Sequence, residues 1–164
     1  MGAFVVSVFQ ENQQILLRTL QKLLYFDMAK DQYHQHVVDA LEKDGWEITD
    51  DPYLLASGKI RYQVDIGAEK LISAKKGVRK ILVEVKSFVG PSDINEFHRA
   101  VGQCVDYLVV LNEVDPDRML FLAVPYFAWE GFFTEPAIQK SLGFISAKIL
   151  VYDPLSKTIT EWRS

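Results

Sequence analysis

Residues 62–93 read YQVDIGAEKLISAKKGVRKILVEVKSFVGPSD, and the fold turns on how this stretch pairs with itself. An apolar segment carrying Asp65 is followed by a Lys/Gly turn at Lys75-Lys76-Gly77 and then by a second apolar segment, 81–88. As a strand, the second segment sends Ile81, Val83 and Val85 to one face and Leu82, Glu84 and Lys86 to the other. Pairing with the Asp65 segment then sets a second carboxylate beside Glu84 and Lys86. Two hard carboxylates suit Mg²⁺, which prefers oxygen ligands and keeps several waters. The stretch therefore predicts a metal-dependent nuclease-type site, with Asp65 and Glu84 as ligands and Lys86 orienting the attacking water or stabilising developing charge. The bland alternative is a pair of exposed strand residues, because Glu-x-Lys is a frequent chance pattern.

Working outward, Asp31 can cap a helix running to about Asp44, with Val37, Val38 and Leu41 inward and Gly45 as its left-handed stop. Extended segments follow at Trp46 to Ile48, Tyr53 to Leu55 and Ile60 to Ile66, with Leu71 to Ala74 prolonging a strand. After Gly90-Pro91, Ser92 or Asp93 caps a second helix to about Val114, with Glu96 in a capping arrangement and Pro116 beyond its end. Its expected inner face is Phe97, Val101, Val105, Leu108, Val109 and Leu111. Arg118 to Val124 is a continuous apolar run, as in a central strand covered on both faces. Two short helical pieces over 126–146 carry an aromatic cluster, Phe127, Trp129, Phe132 and Phe133, expected to pack in the core. Lys148 to Tyr152 and Thr158 to Trp162 read as a terminal hairpin.

Composition bounds the function. At 164 residues, 49% hydrophobic and 24% charged, the chain has room for one globular domain. The lone Cys104 forms no intramolecular disulfide and reads as a core residue, which suits a reducing cytoplasm. The N-terminal MGAFVVSVF lacks a basic start and is interrupted by Glu11 to Gln14, so it reads as neither signal peptide nor membrane span. Net charge is −4, yet Lys59 to Lys86 carries eight Lys/Arg against three acids, while the rest of the chain carries ten against nineteen. Within that basic region Lys75, Lys76, Arg79 and Lys80 are the candidate phosphate contacts for DNA. His34 and His36, two apart on a helix, face different ways and are expected at the surface; His98 has a surface or boundary role.

An Asp followed by Glu-x-Lys on a strand resembles the core of the PD-(D/E)xK nuclease superfamily, here Asp65 and Glu84-Val85-Lys86. More closely, KDQYHQHVVDALEKDGW, VDIGAEKL, VEVKSFVGPSDI and DRMLFLAVP resemble the XisH family, the fdxN element excision controlling factors of cyanobacteria. The resemblance implies an α/β fold, a restriction-endonuclease-like mixed sheet flanked by helices, over 28–164. The residues before it, 1–27, are read separately as an N-terminal helical extension, since Ile15, Leu16, Leu17, Leu20, Leu23 and Leu24 give 10–27 one broad apolar face; the stretch is either an arm packing on the domain or on a neighbouring subunit, or an upstream start assigned in error, Met28 being the alternative start. Gln103 and Tyr107 are similar to the Gln-x-x-x-Tyr element of some of these nucleases, which implies a catalytic role for Gln103 and a nucleic-acid contact for Tyr107. Val64 stands where a proline often precedes the aspartate, and the acid often found on the first helix has only Asp39 and Glu42 as candidates. The implied function is control of site-specific excision of a DNA element in heterocyst development, with Mg²⁺ as cofactor. The implied partners are DNA, a site-specific recombinase or companion excision-control protein, and a second copy in a homodimer, with no membrane. An inactive nuclease-fold accessory protein and a defence or toxin-like nuclease are the alternatives.

Overall fold

Ile81, Leu82, Val83, Glu84 and Val85 are all buried, a pattern that only a strand covered on both faces produces. The computed structural model describes Gln13, Leu17, residues 30–73 and residues 77–163. Its elements are α1 (Lys30–Lys43), β1 (Glu47–Asp50), β2 (Tyr53–Ser57), β3 (Ile60–Val64), β4 (Ile66–Ser73), β5 (Gly77–Val85), α2 (Asp93–Val114), β6 (Met119–Pro125), α3 (Tyr126–Ala128), a π-helical turn (Trp129–Phe133), α4 (Pro136–Phe144), β7 (Lys148–Asp153) and β8 (Thr158–Arg163). Six strands form one sheet in the order β1-β4-β5-β6-β7-β8, and β2 pairs with β3 in a separate two-stranded ribbon. The β5–β6 and β6–β7 pairs are parallel and the others antiparallel, which makes the sheet mixed. Helix α1 packs against β8, β1 and β5, and α2 against β6 and β2. This is the expected restriction-endonuclease-like α/β arrangement.

Several boundaries follow from local chemistry. Helix α1 stops where Gly45 turns left-handed at φ +82, and Trp46 N–H reaches back to Leu41 O at 3.0 Å, closing the orphaned carbonyls. Helix α2 starts at Ser92, whose Oγ accepts from Asn95 N–H, and ends before Pro116. Glu96 departs from the expected capping role: its Oε1 accepts from Gly90 N–H at 2.6 Å, so it ties down the incoming loop instead. The β5 strand is also shorter than 81–88 suggested at its C-terminal end. It ends at Val85, and Phe88 adopts φ +51 with its ring buried edge-on against Phe133 at 4.9 Å.

Two expectations about faces are corrected. The segment 60–66 is not one strand: a bend at Asp65 sends β3 into the ribbon and β4 into the main sheet. Helix α2 buries Phe97, Ala100, Cys104, Tyr107, Val110 and Leu111, leaving Val105 and Val109 exposed. Valines and leucines surround that helix, so their spacing alone did not select a face; the small Ala100 and Cys104 let it approach the sheet. The aromatic cluster packs as expected, with Phe127, Trp129 and Phe133 buried and Phe132 packed against Phe97. Among the described residues no helix is long and apolar enough to cross a membrane. Of the 1–27 extension only Gln13 and Leu17 are described, and Lys75 and Lys76 lie outside the described residues.

Candidate active site

Backbone donors along a strand point alternately to its two neighbours. At the end of β5, Lys86 N–H turns toward β6 and donates to Ala123 O at 3.0 Å. Val85 N–H turns toward β4, but β4 has already bent away at Asp65. The Asp65 carboxylate fills the gap, Oδ2 accepting from Val85 N–H at 2.7 Å. The corner in the chain thus fixes one candidate ligand beside the strand that carries the other.

Glu84 is 2% exposed, and Lys86 Nζ donates to its Oε1 at 2.6 Å from a side chain that is 16% exposed. The bland alternative of two solvated strand residues is therefore excluded. An ionised carboxylate in such a place is costly without a cation and hydrogen bonds, and Lys86 supplies the cation. Burial pushes the Cys104 thiol up to about 12, with Glu84 raising it further and Lys86 opposing. Tyr107 is likewise pushed well above the usual phenol value, first by burial and then by Glu84.

Asp65, Lys86 and Gln103 line one cleft of about 580 Å³, and Tyr33, His34 and Arg99 complete its walls. Gln103 Nε2 donates to Tyr107 Oη at 3.3 Å, and that hydroxyl donates to Gln63 O at 3.2 Å. Tyr107 is buried, with its ring edge-on to Tyr62, so in this conformation it holds Gln103 and the ribbon in place and offers nucleic acid no open face. Asn95, Arg99 and Gln103 follow one another at i,i+4 on α2 and all line the cleft. Asn95 and Arg99 were not singled out from sequence, although that spacing, extended back from Gln103, is the signal that finds them.

The remaining candidates fall elsewhere. Arg79 and Lys80 lie on β5 opposite Lys70 and Glu69, five and four residues before Glu84, hence about 13–17 Å along the strand from the carboxylates. Asp39 bonds Lys157 at 2.7 Å, on the side of α1 that meets the C-terminal hairpin. His34 pairs with Asp51 at 2.8 Å at the rim of the cleft. His36, expected at the surface, is buried, and burial lowers its pKa below the ordinary histidine value, with Lys157 lowering it further and Asp39 opposing. It lies inside because α1 turns that face toward the sheet with Val37 and Ala40. His98 is exposed.

The donor set can be tested for a metal. Among the described residues no three His, Cys, Asp or Glu side chains gather into a ready cage. Two carboxylates remain: Asp65 lines the cleft with only Oδ2 committed to the backbone, while Glu84 is buried outside the cleft lining with Oε1 on Lys86. An all-oxygen set with few protein ligands fits Mg²⁺, which keeps its waters, and does not fit a structural zinc site.

The XisH protein family model matches residues 28–160. This chain belongs to the XisH family. An XisH family protein from Nostoc punctiforme PCC 73102, solved by crystallography, is 39% identical over 81% of this chain and 99% of its own, with a TM-score of 0.74. An fdxN element excision controlling factor protein from Anabaena variabilis is 40% identical over 82% of this chain and 100% of its own, with a TM-score of 0.75. No curated protein matches the chain.

Proposed function

We propose that this XisH protein controls excision of a DNA element and acts on DNA through a Mg²⁺-dependent phosphodiester-cleaving site built on Asp65, Glu84 and Lys86. One observation carries the reading: at the end of β5 Asp65 takes Val85 N–H and Lys86 donates to the buried Glu84, and Asp65 and Lys86 line a cleft together with Arg99 and Gln103. The Anabaena variabilis relative, named as an excision controlling factor, supports the biological half. A cytoplasmic role in a differentiating heterocyst, beside a recombinase or companion excision-control protein, belongs to the same proposal.

Mg²⁺ held by Asp65 and Glu84 would supply charge stabilisation at the phosphate. The residues of the chain do the rest. Lys86 carries an ammonium from which a water can be oriented or a phosphate oxygen can accept a hydrogen bond. Arg99 neutralises an adjacent phosphate as a planar fork, and Gln103, braced by Tyr107, orients what lies between them. Residues of α2 thereby form the wall opposite Lys86.

A non-catalytic accessory reading is favoured by one specific observation: Asp39 is committed to Lys157, so the first helix brings Tyr33 and His34 to the cleft in place of an acid. Cleavage of supercoiled, linear and single-stranded DNA with Mg²⁺ or Mn²⁺, together with Mn²⁺ titration heat, separates the two. Wild type is expected to bind Mn²⁺ and cleave, and Glu84→Gln to lose both by orders of magnitude while its circular dichroism is unchanged. Mn²⁺ heat retained in folded Glu84→Gln, or no cleavage by wild type on any substrate, overturns the catalytic reading. Excision in cells by the folded variant installs the accessory one.

A further inference from the structure

We propose that the β2–β3 ribbon is a groove-binding element for double-stranded DNA, which rests on the reading of the cleft as a DNA site and adds where the duplex beyond the cleft is held. The ribbon lies outside the main sheet, and its two strands pair only with each other. Its last residue, Val64, immediately precedes Asp65, so the ribbon is rooted at the candidate metal ligand. A duplex presenting a phosphate to Asp65 must therefore pass close to it.

The register separates two faces. Tyr53, Leu55, Tyr62 and Val64 turn inward, with Leu55 and Val64 buried and Tyr62 packed on Tyr107. Leu54, Ala56, Arg61 and Gln63 form the outer face, all exposed, and the turn Gly58-Lys59 projects beyond. Leu54 is 65% exposed and Ile60, beside the turn, 57%. Residues 53–64 contain no Asp or Glu, in a chain whose net charge is −4. An acid-free ribbon ending in Lys59 and Arg61 is complementary to a polyanion.

Dimensions and chemistry favour a groove. Five residues per strand at about 3.4 Å each give a ribbon about 17 Å long. A two-stranded ribbon enters the major groove, about 12 Å wide and about 8.5 Å deep, where exposed aliphatic side chains meet thymine methyls. Arg61 is braced for the role: its Nη1 donates to Gly58 O at 2.8 Å and Ile60 O at 3.2 Å, fixing the guanidinium against the turn with its other nitrogens uncommitted among the described residues. Less entropy is then lost on contact. Lys59 and Arg61 address the flanking phosphates, and Leu54 and Gln63 the base edges.

The test uses the full chain and fluorescence anisotropy with a 20-base-pair duplex and its single strand, across a salt series, in Ca²⁺ to prevent turnover. Lys59→Ala/Arg61→Ala should weaken duplex binding at least tenfold and make the salt slope shallower by about 1–2, the loss of one to two phosphate contacts. Lys59→Glu, one charge on an exposed turn, should weaken it likewise without affecting the fold. Duplex affinity and slope unchanged in both variants overturn the proposal, as does wild type that binds no duplex at low salt. So does Leu54→Ser altering the sedimentation state while leaving DNA affinity intact, which makes the face a contact between copies. Mn²⁺ heat measured on the ribbon variants is a separate readout: it fails only if the site reading fails, whereas ribbon failure leaves it intact.

Discussion

The β5–β6 ladder has a charged cluster near each end, and the two are built differently. Near the Ile81↔Met119 end, Arg118 is buried with its Nε on Asp115 at 2.9 Å, Nη2 on Glu69 at 3.0 Å and Nη1 on Ile81 O at 3.3 Å, and its guanidinium lies 4.9 Å from the Tyr53 ring centre. One cation there meets two carboxylates, a carbonyl and a ring, and every partner comes from an element it thereby joins. At the Val85↔Ala123 end, Lys86 and Asp65 line a cleft, and Lys86 holds the buried Glu84. The first cluster closes the fold; the second faces space where a ligand fits. Burial and close ion pairing are common to both, so neither identifies a functional site by itself. Access does.

Removing Arg118 should give the largest stability effect. Arg118→Ala leaves the partly exposed Glu69 and Asp115 without the guanidinium, at a cost of about 1.5–3 kcal/mol for each of the two charged hydrogen bonds lost. Urea denaturation is expected to show that loss, and Mn²⁺ should not recover it. Substantial rescue by Mn²⁺ would mean that the closed cluster also takes a cation, which would dissolve the distinction.

Lys86→Met sharpens the contrast from the other side. It leaves the buried Glu84 carboxylate without its cation while keeping much of the aliphatic volume, so a loss of about 3–5 kcal/mol is expected. Here Mn²⁺ should restore stability, because a cation that binds only the folded state stabilises it by about 2.7 kcal/mol at a hundredfold excess over Kd. Denaturation with and without Mn²⁺ checks it; a variant that gains no more than wild type from the ion argues that Glu84 is a structural carboxylate.

Much of this contrast was legible in the residues. Glu84 and Lys86 were paired by strand parity, Asp65 by the hairpin, and the Arg118–Val124 run by its unbroken apolar character. What sequence could not supply was depth. The alternation in ILVEVK suggests a half-exposed strand, yet helices cover both faces and put Glu84 inside. Nor did periodicity locate the bend at Asp65, because Ile60 to Ile66 is uniformly strand-forming and the turn is set by which sheet each half joins. The inner face of α2 was misread for a related reason: apolar residues surround that helix, and the close approach of Ala100 and Cys104 to the sheet decided the matter.

The smallest effect tests how the cleft end is kept in shape. The loop from Lys86 to Ser92 leaves β5 with Phe88 left-handed, a conformation costing on the order of 1 kcal/mol, and is secured at its far side by Glu96 accepting from Gly90 N–H. A Cβ on Gly90 would clash with Glu96 Oε1, so the carboxylate must swing away. Because the obstructing atom is the end of a flexible side chain, Gly90→Ala should unfold nothing and cost about 1–2 kcal/mol, the value of one charge-assisted bond. The closed cluster around Arg118 shares no residue with this loop, so the additional change should appear only at the cleft: weaker Mn²⁺ binding and weaker DNA binding, with Glu96→Gln, which keeps an acceptor for Gly90 N–H, milder than Gly90→Ala in both. If Gly90→Ala loses stability but binds Mn²⁺ and DNA as wild type does, the loop is structural and the cleft needs no such tether.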